Sequence, residues 1–361
     1  MQRRAFGAGA LTAWLGASLA SASAPAPAWA QDAAKAAAKA AALSELALYP
    51  GADRQQRLID AAKKEGELSV YHVYPYLPTI IAAFTKKTGI KVKAWRAGSE
   101  AVLQRVMAEA RGGRFEVDLV QNNAPENEAA YREKLLQEVW SPQLKDLIPA
   151  AAPKHAAWAG ITLDVWTAAY NTNAVKKDEL PKSYADLADP RWRGRLAIEA
   201  NNHAWFGALI GELGEEAGTK LFNQIVATNG IAARKGHSVL ANLVASGDIP
   251  LALTVYNWNP EQLKKKGAPI EALILQPLMA QPSTIALMKR APNPASALLF
   301  YDFLLGEGQK LLAEASFVPT SKLIDFPFAR QPMKMIDPAH ALDLQDKWLK
   351  NFDEMIIKRA K

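Results

Sequence analysis

Leu68-Ser69-Val70-Tyr71, Ile90-Lys91-Val92-Lys93-Ala94-Trp95 and Val117-Asp118-Leu119-Val120 are three short β-rich runs, and the spacing between them decides the fold. Between the first two, the apolar spacing over 77–87 predicts a helix stopped at Gly89. Between the last two, Val102, Leu103, Val106 and Met107 share one face of a helix predicted over 100–110, after the turn Gly98-Ser99-Glu100. Strand, helix, strand, helix, strand at this interval is a βαβ series, so the expected class is α/β with a mostly parallel sheet. Such a sheet holds its ligand at the carboxyl ends of its strands. Those ends are residues 72–76, 96–100 and 121–123, and their residue types are polar or aromatic.

The second half repeats the style. A strand over 162–170 leads to Asn171, Leu196-Ala197-Ile198 precedes Asn201-Asn202-His203, and a helix follows from Ala204. A helix over 238–245 leads through Gly247 to a strand over 249–255, which stops at Tyr256-Asn257-Trp258-Asn259. Short extended runs at 274–276 and 284–288 flank Pro277 and Pro282, and the stretches 293–315 and 337–359 are read as helical. Upstream, Asp53 is the expected N-cap of a helix over 53–64 that ends at Gly66.

Composition narrows the function. The chain has 361 residues, half of them hydrophobic, and no cysteine, which removes disulfides, thiolate metal sites and cysteine nucleophiles together. The formal charge of +7 comes from 43 basic and 36 acidic residues with no long basic block, so no nucleic-acid partner is expected. Residues 1–30 carry Arg3-Arg4, a short Ala/Gly/Leu run and the small-residue triplet Ala28-Trp29-Ala30. They read as a cleavable export signal, similar to a twin-arginine signal and compatible with Sec export. Residues 31–44 form an Ala/Lys leader, and the rest is expected in the periplasm without a lipid anchor. Neither a nucleophile elbow, a zinc-protease motif, a phosphate loop nor a dinucleotide fingerprint follows the signal.

Residues 61–71, 83–92, Gly98-Ser99-Glu100 and Val117-Asp118-Leu119 resemble the opening lobe of periplasmic substrate-binding proteins of ABC importers. They are most similar to the ferric-iron-binding group and its thiamine, phosphonate and polyamine relatives. Tyr170-Asn171-Thr172, residues 184–196, 246–253, 293–297 and 301–304 continue the resemblance. It implies the type II periplasmic-binding-protein fold: two α/β lobes joined by crossover strands and closing on a ligand. Carried onto this chain, lobe one is 45–167 with 281–361 and lobe two is 168–280. The implied function is capture of a small solute by a monomer and its delivery to a membrane permease, without catalysis or cofactor.

The ferric binders of this group use a tyrosine pair, a Glu at the third strand end and a His near the first. In register these fall on Asn257-Trp258, on Asn123, and a few places from His72. Asn and Trp do not supply the anionic oxygens Fe(III) wants, so the iron alternative reduces to His72 and Tyr256. An aromatic cleft suits the residues better. Trp258, Tyr256, Trp205, Tyr74 and Tyr76 are candidates to stack on an organic ligand, with Asn123, Asn202 and His72 as hydrogen-bonding groups. The anion-holding helix start of the relatives falls on Asn202-His203-Ala204, and Arg96, Ser99 and Ser238 (beside His237) complete the candidate set, which leans toward an organic solute, anionic ones included. The rival class, a secreted enzyme on the same scaffold, needs a titratable pair in the cleft; His72 with Glu100 and His203 with Glu199 are its candidates.

Overall fold

Turn chemistry sets most element ends in the computed structural model, which describes residues 28–360. The export-signal reading of 1–27 therefore lies outside the described residues. By internal contacts the chain divides into a unit ending at Lys39 and a unit Ala40–Lys361, and the second holds every strand named below. The helices are α1 Ala28–Leu48, α2 Arg54–Glu65, α3 Leu77–Thr88, α4 Ser99–Arg111, α5 Ala124–Arg132, α6 His203–Leu213, α7 Glu215–Asn229, α8 His237–Ser246, α9 Trp258–Lys264, α10 Pro294–Leu305, α11 Glu307–Glu314, α12 Pro338–Asp343 and α13 Gln345–Met355. The strands are β1 Glu67–His72, β2 Lys91–Arg96, β3 Leu119–Asn123, β4 Leu136–Gln137, β5 Ala159–Asn171, β6 Leu196–Glu199, β7 Ala232–Arg234, β8 Leu251–Tyr256, β9 Ile270–Leu273, β10 Leu278–Met288, β11 Val318–Pro319 and β12 Met333–Met335. Gly66 and Gly89 close α2 and α3 in the left-handed conformation, as their positions after the last periodic residue predict.

The strands run in the order β2-β1-β3-β10-β5-β8-β6-β7. The flanks are parallel, β1 with β2 and β3, and β6 with β7 and β8. The middle is antiparallel, because β10 pairs with both β3 and β5, and β5 with β8. Of the two short runs expected around Pro277 and Pro282, 284–288 falls within β10, whereas 274–276 lies between β9 and β10 and outside any strand. β10 passes through Pro282, which lies opposite Leu163, and the register shifts at Ser283/Thr284, just beyond the residue that cannot donate to the ladder. Both β5 and β10 are buried along their whole length.

Hydrophobic cores form on either side of these strands. One gathers Leu68, Val70, Phe84, Leu298, Phe300 and Phe317, and the other Trp192, Trp205, Phe206, Phe222 and Ile225. The lobe division drawn from sequence needs one correction. The C-terminal stretch was grouped with lobe one, yet Ile336, Trp348, Phe352 and Ile356 belong to the second core. The ring of Phe206 meets Trp348 edge-on at 6.1 Å and Phe352 at 5.4 Å. Gly207 makes this possible, since a Cβ there would strike the Trp348 indole. Trp348→Ala is therefore expected to cost about 3–5 kcal/mol, as large aromatic truncations in a core do. Urea unfolding monitored by circular dichroism checks this, and a loss below about 1 kcal/mol would mean that α13 is not part of that core.

Candidate functional site

In a strand, alternate residues face the same side, and β5 puts Thr162, Asp164 and Trp166 on one face. Across the ladder, Gln281 of β10 lies opposite Asp164 and Ser283 opposite Thr162, so the two strands build one polar floor. Tyr74, from the turn after β1, reaches down to it. Its hydroxyl shares a hydrogen bond with the Thr162 hydroxyl and donates to Asp164 Oδ1 at 3.0 Å. Gln121 fixes that turn by accepting from the Val73 and Tyr74 amides at 3.0 and 3.2 Å, while its own amide donates to Ser283 Oγ at 2.8 Å.

Aromatic rings wall the floor. Tyr256, at the end of β8, lies 3.9 Å from the His237 ring, 5.5 Å from Trp166 and 6.1 Å from Trp258 between centroids. Trp258 continues onto Phe317 at 4.9 Å, and Phe317 stacks on Tyr74 at 5.0 Å.

The electrostatics are one-sided. Burial pushes the Asp164 carboxyl up to about 7, opposed by the hydroxyl of Tyr74 and by the Trp258 indole, which faces the carboxyl without a hydrogen bond of normal geometry. Glu126, in the first turn of α5, is also raised to about 7 by burial, with the like charge of Glu100 adding to it. Burial raises the Tyr256 and Tyr74 phenols, and Asp164 reinforces both; Glu199 and Glu126 add to the rise at Tyr256. No basic side chain acts on Asp164 or Glu126 among the described residues. Burial drives His237 down to about 3, so its imidazole is neutral. Polar atoms here are left without partners: Glu126 Oε2, Asn202 Nδ2, the Nδ1 atoms of His203 and His237, Trp258 Nε1 and Gln281 Oε1. Other buried orphans lie elsewhere among the described residues, around Arg54, Tyr301 and Asp302 for example.

The residues singled out from sequence divide. Tyr74, Tyr256 and Trp258 come together on the floor. Asn202 accepts from Trp166 Nε1 at 3.0 Å, and its neighbour His203 opens α6 with its pKa lowered by burial against the opposing charge of Glu100. Asn123 donates to Ser99 Oγ at 2.7 Å, tying the start of α4 to the end of β3. Ser238 accepts weakly from Asn259 at 3.3 Å. Three need correction. Trp205 is fully buried in the second core between Tyr184 and Phe222, so its ring serves packing. Arg96 is exposed and donates only to the Val73 carbonyl at 3.2 Å. His72 is buried, its Nδ1 held 3.0 Å from the Tyr74 carbonyl, and burial lowers it to about 4; it positions the Tyr74 turn. Of the pairs required by an enzyme, His203 with Glu199 has its carboxylate engaged elsewhere, accepting from the Asn201 and Gly236 amides at 2.7 and 2.8 Å.

Comparison with known proteins matches residues 123–342 to the bacterial extracellular solute-binding protein family, which is well over half of the chain. The chain belongs to this family. Its members are binding proteins rather than enzymes, and this binding protein is of the ABC-importer type, with the type II periplasmic fold. It is 25% identical over 293 residues to iron uptake protein A1 of a Synechocystis species, covering 76% of this chain and 81% of the relative. It is 30% identical over 183 residues to the Fe(3+)-binding periplasmic protein of Serratia marcescens, covering 50% of this chain and 53% of the relative, so that alignment spans about half of each. Iron-bound HitA from Pseudomonas aeruginosa superposes with a TM-score of 0.71 at 24% identity, over 80% of this chain and 99% of HitA. AfuA from Actinobacillus pleuropneumoniae, with fructose-6-phosphate bound, superposes at 0.72 with 19% identity, over 81% of this chain and 98% of AfuA.

Sequence reasoning missed Asp164, Glu126, Trp166 and Phe317. For two of them the signal was present, since Thr162, Asp164 and Trp166 recur at period two within the strand. Asp164 also makes the binding protein's stability pH-dependent. A carboxyl raised in the folded state is neutral there at acidic pH, and its burial penalty grows as pH climbs from the unfolded value of about 4 toward 7. Asp164→Asn, which does not ionise, is expected to gain stability relative to the native chain from about pH 4 to about pH 7, with a plateau beyond, by up to a few kcal/mol. Urea titrations at several pH values measure the difference; parallel curves for the two proteins would contradict a buried, ionising Asp164.

Proposed function

We propose that this binding protein captures a small organic cation, an amine or ammonium group on a compact body, between two lobes, and presents it to the permease of an ABC importer. The carrying observation is Asp164. A carboxyl buried among rings, bonded to a phenol and served by no Lys or Arg, is poised to meet a positive charge brought by the solute. The ring faces of Tyr256, Trp258 and Trp166 favour the same sign through their quadrupoles. An anion would have to sit among carboxyls with no basic side chain beside it, so the anionic lean of the sequence is set aside in this reading. The protein acts as an exported monomer in the periplasm, and among its described residues no helix is long and apolar enough to cross a membrane.

Ferric iron is the second reading, favoured by the names of the relatives and by the hard oxygens of Tyr74, Tyr256 and Asp164. Against it, much of the wall is indole and phenyl.

Thermal-shift titrations of residues 31–361 with primary amines, diamines, quaternary ammonium compounds, carboxylates, phosphonates and ferric citrate separate these. Stabilisation by a cationic amine, absent in Asp164→Asn, is expected, since a ligand at about 100 times its Kd adds about 2.7 kcal/mol. Because the carboxyls must shed protons to meet a cation, affinity is expected to rise with pH between about 6 and 8, by up to about tenfold per unit for each proton released. Stabilisation by an anion alone, or by iron with a tyrosinate colour, would contradict the organic-cation reading.

A further inference from the structure

Thr162, Asp164, Gln281 and Ser283 make the polar floor, and the fold supplies a side-chain partner for three of them. Thr162 and Asp164 meet the Tyr74 hydroxyl, and Ser283 Oγ accepts from the Gln121 amide at 2.8 Å. Gln281 is the exception. It is only 3% exposed, and its Oε1 has no hydrogen-bond partner among the described residues. A buried amide oxygen left unpaired costs free energy that an apolar side chain of the same shape avoids, so a glutamine at this position calls for a use.

The ladder register supplies one. Gln281 lies directly opposite Asp164, and the pairing of β10 with β5 is regular from Ala280 to Ser283. Directly opposed residues of an antiparallel pair stand on the same face, with Cβ atoms about 4.5–5.5 Å apart. A carboxylate has several acceptor positions, of which the Tyr74 hydroxyl takes one, and an amide oxygen carries no proton and only accepts. The floor therefore presents a charged and a neutral acceptor side by side. A primary ammonium brings three N–H donors to such a pair. A quaternary ammonium brings none, and its methyl groups would leave Gln281 Oε1 bare.

We propose that Gln281 is a specificity-determining residue of the solute site: its Oε1 accepts an N–H from the cation held by Asp164, so that the cargo is a primary amine in its ammonium form and quaternary ammonium compounds are rejected. This rests on the organic-cation reading of Asp164 and narrows it. The ring faces of Tyr256 and Trp258 attract either kind of cation, so they do not make the choice. An acceptor does, because a site that hydrogen-bonds an N–H discriminates against an analogue that lacks one by leaving its own polar group unpaired.

Calorimetric titrations with matched pairs test this: ethanolamine with choline, benzylamine with benzyltrimethylammonium, and 1,4-diaminobutane with its bis-trimethylammonium counterpart. On the native chain, the primary member of a pair is expected to bind at least about tenfold more tightly than its quaternary partner, the contribution of one hydrogen bond to a charged group. In Gln281→Met, which keeps the length and removes the acceptor, the primary amine is expected to lose about tenfold and the quaternary partner less than about threefold. Exclusion by size alone would leave the preference intact in that variant. Thermal melts of the ligand-free chains are expected to show Gln281→Met no less stable than the native protein, since no partner is lost. Stepwise N-methylation of the primary amine, titrated into the native chain, gives a reading that does not depend on the variant. Affinity is expected to drop at the dimethyl member, whose single N–H goes to Asp164. A flat methylation series, or a preference unchanged in Gln281→Met, with binding still abolished by Asp164→Asn, would overturn the role of Gln281 and leave the cation reading standing. Binding by no member of any pair would overturn both.

Discussion

The antiparallel pairing of β5 and β10 is the constraint on which the rest depends. Both strands are buried throughout and lie at the middle of the strand order, with parallel flanks on either side. A strand buried on both faces tolerates a polar side chain only when a partner is built for it. Thr162, Asp164 and Ser283 occupy such positions, and Tyr74 and Gln121 are held by the turn after β1 and by β3 to meet them. The polar floor is thus made by the same ladder that joins the two cores.

This placement explains why the site is costly and why it is tolerated. Two carboxyls raised to about 7 and a histidine lowered to about 3 are groups that the fold keeps near neutrality by removing water. A hydrophobic isostere at Asp164 would be cheaper for folding alone. Its retention among aromatic rings makes sense when a cation supplies the missing counter-charge, which is the common thread between the orphaned polar atoms and the one-sided field around Tyr256.

Much of the fold was legible because it is written in periodicity and turn residues. The helices ending at Gly66 and Gly89 and the three opening strands come directly from those signals. Tyr74, Tyr256 and Trp258 were legible as aromatic residues at or just beyond strand ends. The rest depended on tertiary placement. Whether Trp205 faces a cleft or a core is decided by Phe222 and Tyr184, which are distant in sequence, and nothing in its neighbourhood distinguishes the two. Pro282 suggested a break because proline removes a ladder bond, whereas the register shift beside it lets the strand continue. The C-terminal helix carries Trp348 and Phe352 on one face, but only the glycine gap at Gly207 shows which core receives them.

A crystal structure of the protein with its stabilising solute tests the central claim most directly. A positively charged nitrogen is expected within hydrogen-bond distance of Asp164, enclosed by Tyr74, Tyr256 and Trp258. An anion seated on the start of α6 at Asn202 and His203, with Asp164 still bonded only to Tyr74, would contradict the claim.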